Sequence, residues 1–110
     1  MTIRHHELCF GCGQANLFGI QLELEPAEDG GVAGRFFVKQ DHQGPSGAAH
    51  DGIIVAALEE AMSLAGGQGM KLEVELRERV PVGGFVDIVA QADRATARQD
   101  GRVVAEAWRT

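Results

Sequence analysis

Two adjacent carboxylates, Glu59 and Glu60, stand inside a segment that is otherwise almost entirely apolar: Ile53, Ile54, Val55, Ala56, Ala57, Leu58, Ala61, Met62, Leu64 and Ala65. No helix breaker interrupts it, and a helix that is oily nearly all round is expected to be buried. A carboxylate carried into such surroundings costs free energy unless it is paired or used. Its use would be as a general base or nucleophile. Just upstream, His50-Asp51-Gly52 opens the segment. The first amides of a helix lack internal partners and carry the positive end of its dipole, so Asp51 and Gly52 could hold charge developing on a carbonyl oxygen. Glycine at position 52 would let a ligand approach that backbone closely.

Helical geometry separates the two acids. At about 100° per residue, Gly52, Ala56, Glu59 and Ser63 share one face, and its small side chains leave room for a ligand. Glu60 points about a quarter turn away, beside bulkier neighbours. Glu59 is therefore the expected base. A competing reading makes both acids a subunit-interface ion pair with Arg77 or Arg79, and the protein non-catalytic. Asp51 reads chiefly as a helix-start acid interacting with the dipole. His50 reads chiefly as a buried residue orienting its loop, and His42 as a surface loop residue. Asp51 and Gly52 precede Glu59 by seven to eight positions, about 10–12 Å along the axis at 1.5 Å per residue. One helix cannot bring both groups to one substrate atom. A two-fold dimer with antiparallel helices would, each Glu59 serving its partner's helix start.

The surrounding chain supplies strands. Residues 1–19 read as a loop region punctuated by Gly11, Gly13, Asn16 and Gly19. Ile20, Leu22 and Leu24 alternate with polar residues as in a half-buried strand, and Asp29-Gly30-Gly31 turns the chain into a second strand over 32–39. Gly66-Gly67 stops the helix. Strands follow at 70–77, 85–92 and 102–108, the second more uniformly apolar and so central. Gln99-Asp100-Gly101 is a hairpin signal. The order β-β-α-β-β-β predicts an α+β domain, a five-stranded antiparallel sheet wrapped around one buried central helix.

At 110 residues the chain is expected to form a single domain spanning 1–110. A net charge of −6 argues against a nucleic-acid surface, which needs clustered Lys and Arg. No apolar run has membrane-spanning length and the first ten residues lack a signal-peptide core, so a soluble cytoplasmic protein is expected. Cys9-Phe10-Gly11-Cys12 is a single C-x-x-C, weak evidence for zinc, although His5 and His6 could complete a ligand set. The preferred reading is reduced thiols packing a glycine-rich loop, with no metal and no cofactor.

With these residues laid out, the chain resembles the hotdog-fold acyl-CoA thioesterases of the phenylacetate-pathway group. The family's G-x-x-HGG entry to its helix corresponds to Gly47-Ala48-Ala49-His50-Asp51-Gly52, and its acid nine residues after the histidine to Glu59. Leu58–Ala61 is similar to the family's Leu-Asp-Glu-Ala, and Cys9 to Gly19 to the Cys-x-x-Cys-Gly-x-x-Asn-x-x-Gly opening of many members. Arg79–Gly83 and Asp100–Glu106 resemble its strand-turn and closing hairpin. Two positions depart from the pattern: Asp51 replaces the first glycine of HGG, and Gly44, beside Gln43, stands where many members carry asparagine.

The resemblance implies hydrolysis of a short-chain or aromatic acyl-CoA. Glu59 would be base or nucleophile, the Asp51 and Gly52 amides oxyanion donors, and Gln43, Gly44, His50 and Ser63 the substrate contacts. It also implies a homodimer, or a homotetramer built as a dimer of dimers. The alternative is a hotdog protein that binds an acyl-CoA or similar small ligand without turnover.

Overall fold

The computed structural model covers all 110 residues. Six antiparallel strands form one sheet: β1 (Glu23–Pro26), β2 (Val32–Phe37), β3 (Leu72–Leu76), β4 (Phe85–Ala90), β5 (Arg94–Gln99) and β6 (Arg102–Arg109). Their spatial order is β1-β2-β4-β5-β6-β3, and a single long helix, α1 (Asp51–Leu64), lies across one face. The class is the expected α+β hotdog, with one strand more than the five expected. The additional strand is β5, Arg94-Ala95-Thr96-Ala97-Arg98-Gln99. Alanine and arginine carry little strand preference, yet Ala95 and Ala97 are buried against the helix side while Arg94 and Arg98 face water. Asp100 and Gly101 both adopt positive φ, 53° and 80°, and join β5 to β6 in the tight turn that Asp-Gly favours.

β4 is central, as expected, and strictly alternating. Val86, Ile88 and Ala90 are buried, while Phe85, Asp87 and Val89 face out. The first strand is shorter than its pattern suggested. Gln21 has φ 56°, and the amides of Ile20 and Leu22 donate to the carbonyls of Phe10 and Gly11 in the N-terminal loop, not to the sheet. Ile20, Leu22 and Leu24 are nonetheless all buried in the core.

The helix ends as Gly66-Gly67 predicts. Gly66 takes φ 93°, its amide donates to Ser63 and that of Gly67 to Met62, so these two carbonyls of the last turn are satisfied. Ile54, Ala57, Leu58, Ala61 and Met62 pack into the core with Phe36, Val86, Ile88, Ala97 and Val104. The expectation of a helix buried all round needs correction. One sheet covers one side, and within this chain Gly52 is exposed while Val55, Ala56, Glu59 and Ser63 are half-buried, forming an open stripe. No helix is long and apolar enough to cross a membrane.

Candidate functional site

The helix start is built by the loop before it. Gln43 Oε1 accepts the Gly47 N–H at 2.7 Å and its Nε2 donates to Gln40, so this side chain holds the turn. The loop is tied to the sheet side by Ala49 N–H to Val80 O and Val82 N–H to Gly47 O. A Cβ on Gly44 would lie 2.8 Å from His50 Cα, so only glycine permits this approach. Gln43, Gly44, His50, Asp51 and Gly52 are thereby brought together. A groove of about 330 Å³ opens beside them, lined by Gln43, His50, Gly52, Ile53, Phe10 and the 41–42 turn.

His50 is the helix N-cap: its Nδ1 accepts the Gly52 N–H at 2.8 Å. It orients the helix start as expected, but it is exposed, not buried. Because Nδ1 accepts, a neutral ring carries its proton on Nε2. The Gly52 amide is thus already engaged, whereas the Asp51 amide at the first helical position has no partner within the chain. His42 reverses its expected role. It is 7% exposed, its ring Nε2 is 3.1 Å from Phe18 O, and its carbonyl accepts from His50 N–H.

Glu59 and Ser63 lie farther along the helix, on the open stripe. Glu59 Oε2 accepts from Arg109 Nη2 of β6, whose side chain is only 11% exposed, while Glu59 keeps 42% of its own exposure. Oε1 of Glu59 takes no hydrogen bond within the chain. Within this chain Arg77 pairs with Glu75 and Glu106, and neither Arg77 nor Arg79 bonds Glu59.

Glu60 turns the other way, 8% exposed, toward the N-terminal loop. Its Oε2 lies 2.8 Å from His5 Nδ1 and 3.2 Å from Cys9 Sγ. Ser63 Oγ is 3.3 Å from the other ring nitrogen of His5. Burial pushes the Cys12 thiol up to about 12, and a side-chain hydrogen bond with Glu60 adds to the rise. Sequence reasoning set Cys9, Cys12 and His5 beside His6. The structure puts Glu60, some fifty positions away, in that place, and no spacing pattern in the sequence signals it.

No protein-family model and no curated protein sequence matches the chain. Solved structures do match. A thioesterase superfamily protein superposes with TM-score 0.76 at 21% identity, over 86% of this chain and 57% of the other. This chain therefore spans little more than half the length of that protein. A phenylacetic acid degradation-related protein of Ralstonia eutropha JMP134 gives TM-score 0.68 at 14% identity, covering 80% of this chain and 81% of that one. A variant of the phenylacetic acid degradation protein PaaI of Thermus thermophilus gives 0.66 at 19% identity, covering 81% and 93%. The chain has the hotdog fold that thioesterase-superfamily and PaaI-like structures share.

Proposed function

We infer that the chain hydrolyses an acyl-CoA thioester, with a short-chain or aromatic acyl group, in a site shared between two copies. The observation that carries the reading is the open stripe of α1. It bears a partner-free amide at Asp51, beside a groove, and an acid with one free oxygen at Glu59. In this mechanism Glu59 Oε1 takes a proton from water as the water oxygen attacks the thioester carbon. The developing oxyanion accepts the partner's Asp51 N–H, reinforced by the helix dipole. The oxyanion then collapses to the carboxylic acid as the carbon–sulfur bond breaks, and the leaving sulfur takes the proton from Glu59, which restores the carboxylate. Arg109 keeps the Glu59 side chain in one orientation. Gln43 and Gly44 act through the loop shape, and His50 by capping the helix.

Within one helix the amide and the acid are about 10–12 Å apart, beyond hydrogen-bond reach of a common substrate atom. Two antiparallel copies across the open stripe remove that gap.

The second reading is an acyl-CoA-binding protein without turnover. The Glu59–Arg109 pair and the occupied Gly52 amide favour it.

Steady-state hydrolysis of an acyl-CoA panel, with ligand protection against thermal unfolding as the binding control, separates the two readings. The shared site is tested by co-refolding Glu59→Ala with Asp51→Pro, each inactive alone. Proline is tolerated at the first helical position, the Asp51 N–H has no partner to lose, and His50 before it is extended at φ −62°, ψ 139°. Random mixing should restore about a quarter of wild-type activity, since half the dimers are mixed and each regains one site. A dead mixture in which mixed dimers demonstrably form rules out the shared site.

A further inference from the structure

Four side chains from two distant segments converge where the N-terminal loop meets the middle of α1. The ligand atoms of His5, Cys9, Cys12 and Glu60 all lie within 4.8 Å of one another. We propose that they form a tetrahedral zinc site, with Cys9 Sγ, Cys12 Sγ, His5 Nδ1 and Glu60 Oε2 as ligands, which fastens the N-terminal loop to the central helix. This goes beyond thioester chemistry and stands whether or not the chain is a hydrolase.

The spacing suits the ion. Zinc bonds of about 2.3 Å to sulfur and 2.0–2.2 Å to nitrogen or oxygen imply tetrahedron edges of roughly 3.4–3.8 Å. His5 Nδ1 stands 3.6 Å from Cys9 Sγ and 3.8 Å from Cys12 Sγ. Cys9 Sγ is 3.2 Å from Glu60 Oε2, which needs only a small opening. The 2.8 Å His5–Glu60 contact is a hydrogen bond that zinc would replace with two metal bonds. The donor set selects the metal class. Two thiolates with an imidazole and a carboxylate suit zinc, whereas calcium and magnesium take oxygen ligands. Uptake of the ion releases the thiol protons to solvent.

The surroundings are those of a built site. The second nitrogen of the His5 ring faces Ser63 Oγ at 3.3 Å, the outer contact that orients a metal-bound imidazole with its other nitrogen inward. The backbone N–H of His5 donates to Cys12 Sγ at 3.1 Å. A Cβ on Gly11 would come within 2.5 Å of Glu60 Cδ, and one on Gly13 within 2.5 Å of the Cys9 amide, so the two glycines let the loop close on the cluster. All four positions are filled by protein, which marks a structural rather than a catalytic zinc. The C-x-x-C, too short of ligands by itself, gains its fourth from the helix.

The test uses the full chain. Purified protein should carry one zinc per chain by elemental analysis, and removing it with a chelator should lower the melting temperature. Cobalt(II) added to the reduced metal-free protein should give the visible bands of a tetrahedral site and an ultraviolet thiolate-to-cobalt band. The thiolate band should vanish in the Cys9→Ser, Cys12→Ser double variant. Ser63→Ala should keep both spectral features while weakening zinc by about 10–100-fold in competition with a chromophoric chelator. Because cobalt is read on the wild-type chain, a variant that fails to fold does not blunt the test. Protein with both thiols reduced that takes up neither zinc nor cobalt overturns the proposal. So does a thiolate band that survives the double variant, or a Cys9–Cys12 disulfide that forms in air despite added zinc.

Discussion

Glu59 and Glu60 are adjacent on one helix, and the roughly 100° turn between them puts them in different environments. Glu59 lies on the open stripe, half exposed, one oxygen held by Arg109 and the other free. Glu60 is buried against His5, Cys9 and Cys12, with a backbone glycine pressed to its carboxyl group. The first is fixed in direction yet accessible, as a base for an incoming substrate must be. The second is 8% exposed and packed against two thiols and an imidazole. Side-chain type is identical in the two places, so the environments differ by what the sheet and the N-terminal loop bring to each face.

The division is broken most directly at Glu59. Glu59→Gln keeps an oxygen for the Arg109 hydrogen bond and removes the proton acceptor. We expect hydrolysis of the best acyl-CoA to fall about 10²–10⁴-fold, with ligand protection in thermal melts retained. Turnover that survives in Glu59→Gln would remove the base from the open stripe and with it the contrast between the two acids.

The Glu60 side is sharpened by Gly11→Ala. The added methyl would sit 2.5 Å from Glu60 Cδ and Cγ, and Glu60 cannot swing away without losing His5 and Cys9. Overpacking of this kind typically costs about 1–3 kcal/mol. Urea unfolding of the reduced protein should register that loss. A variant as stable as wild type would mean that the Glu60 carboxylate moves freely and the enclosure is loose.

How much of this contrast the sequence reveals depends on distance along the chain. The helix, its Gly66-Gly67 stop and the antiparallel order are local signals, and they appear in the structure. β5 escapes a reading of the sequence because its buried face is Ala95, Ala97 and Gln99, two small residues and a polar one, too weak a pattern to mark a strand. That Glu59 and Glu60 face differently follows from helical angle alone. What each face meets does not. Arg109 reaches Glu59 through the pairing of β6 with β3 and β5, and Cys9 reaches Glu60 only because the N-terminal loop folds back over α1. His42 and His50 exchange their expected burial for a related reason. The loop bonds Phe18 O to the ring of His42, while the cap draws the His50 ring to the helix start.

The smallest expected effect tests the other end of the stripe. Asp51 places a carboxylate on the residue whose amide would meet the oxyanion, and like charge there opposes the transition state. Asp51→Gly should therefore speed hydrolysis, while losing about 0.3–1 kcal/mol of dipole interaction at the helix start. Glycine also loosens the backbone, so Asp51→Asn serves as control: it removes the charge and keeps a side chain of the same shape. If both variants are faster, the charge is the brake, and the half-site at the helix start is electrostatically matched to Glu59 of a partner. If only glycine is faster, backbone freedom and not charge limits the site. If both are slower, the Asp51 carboxylate takes part in the chemistry, and Glu59 is no longer the one working acid on the open stripe.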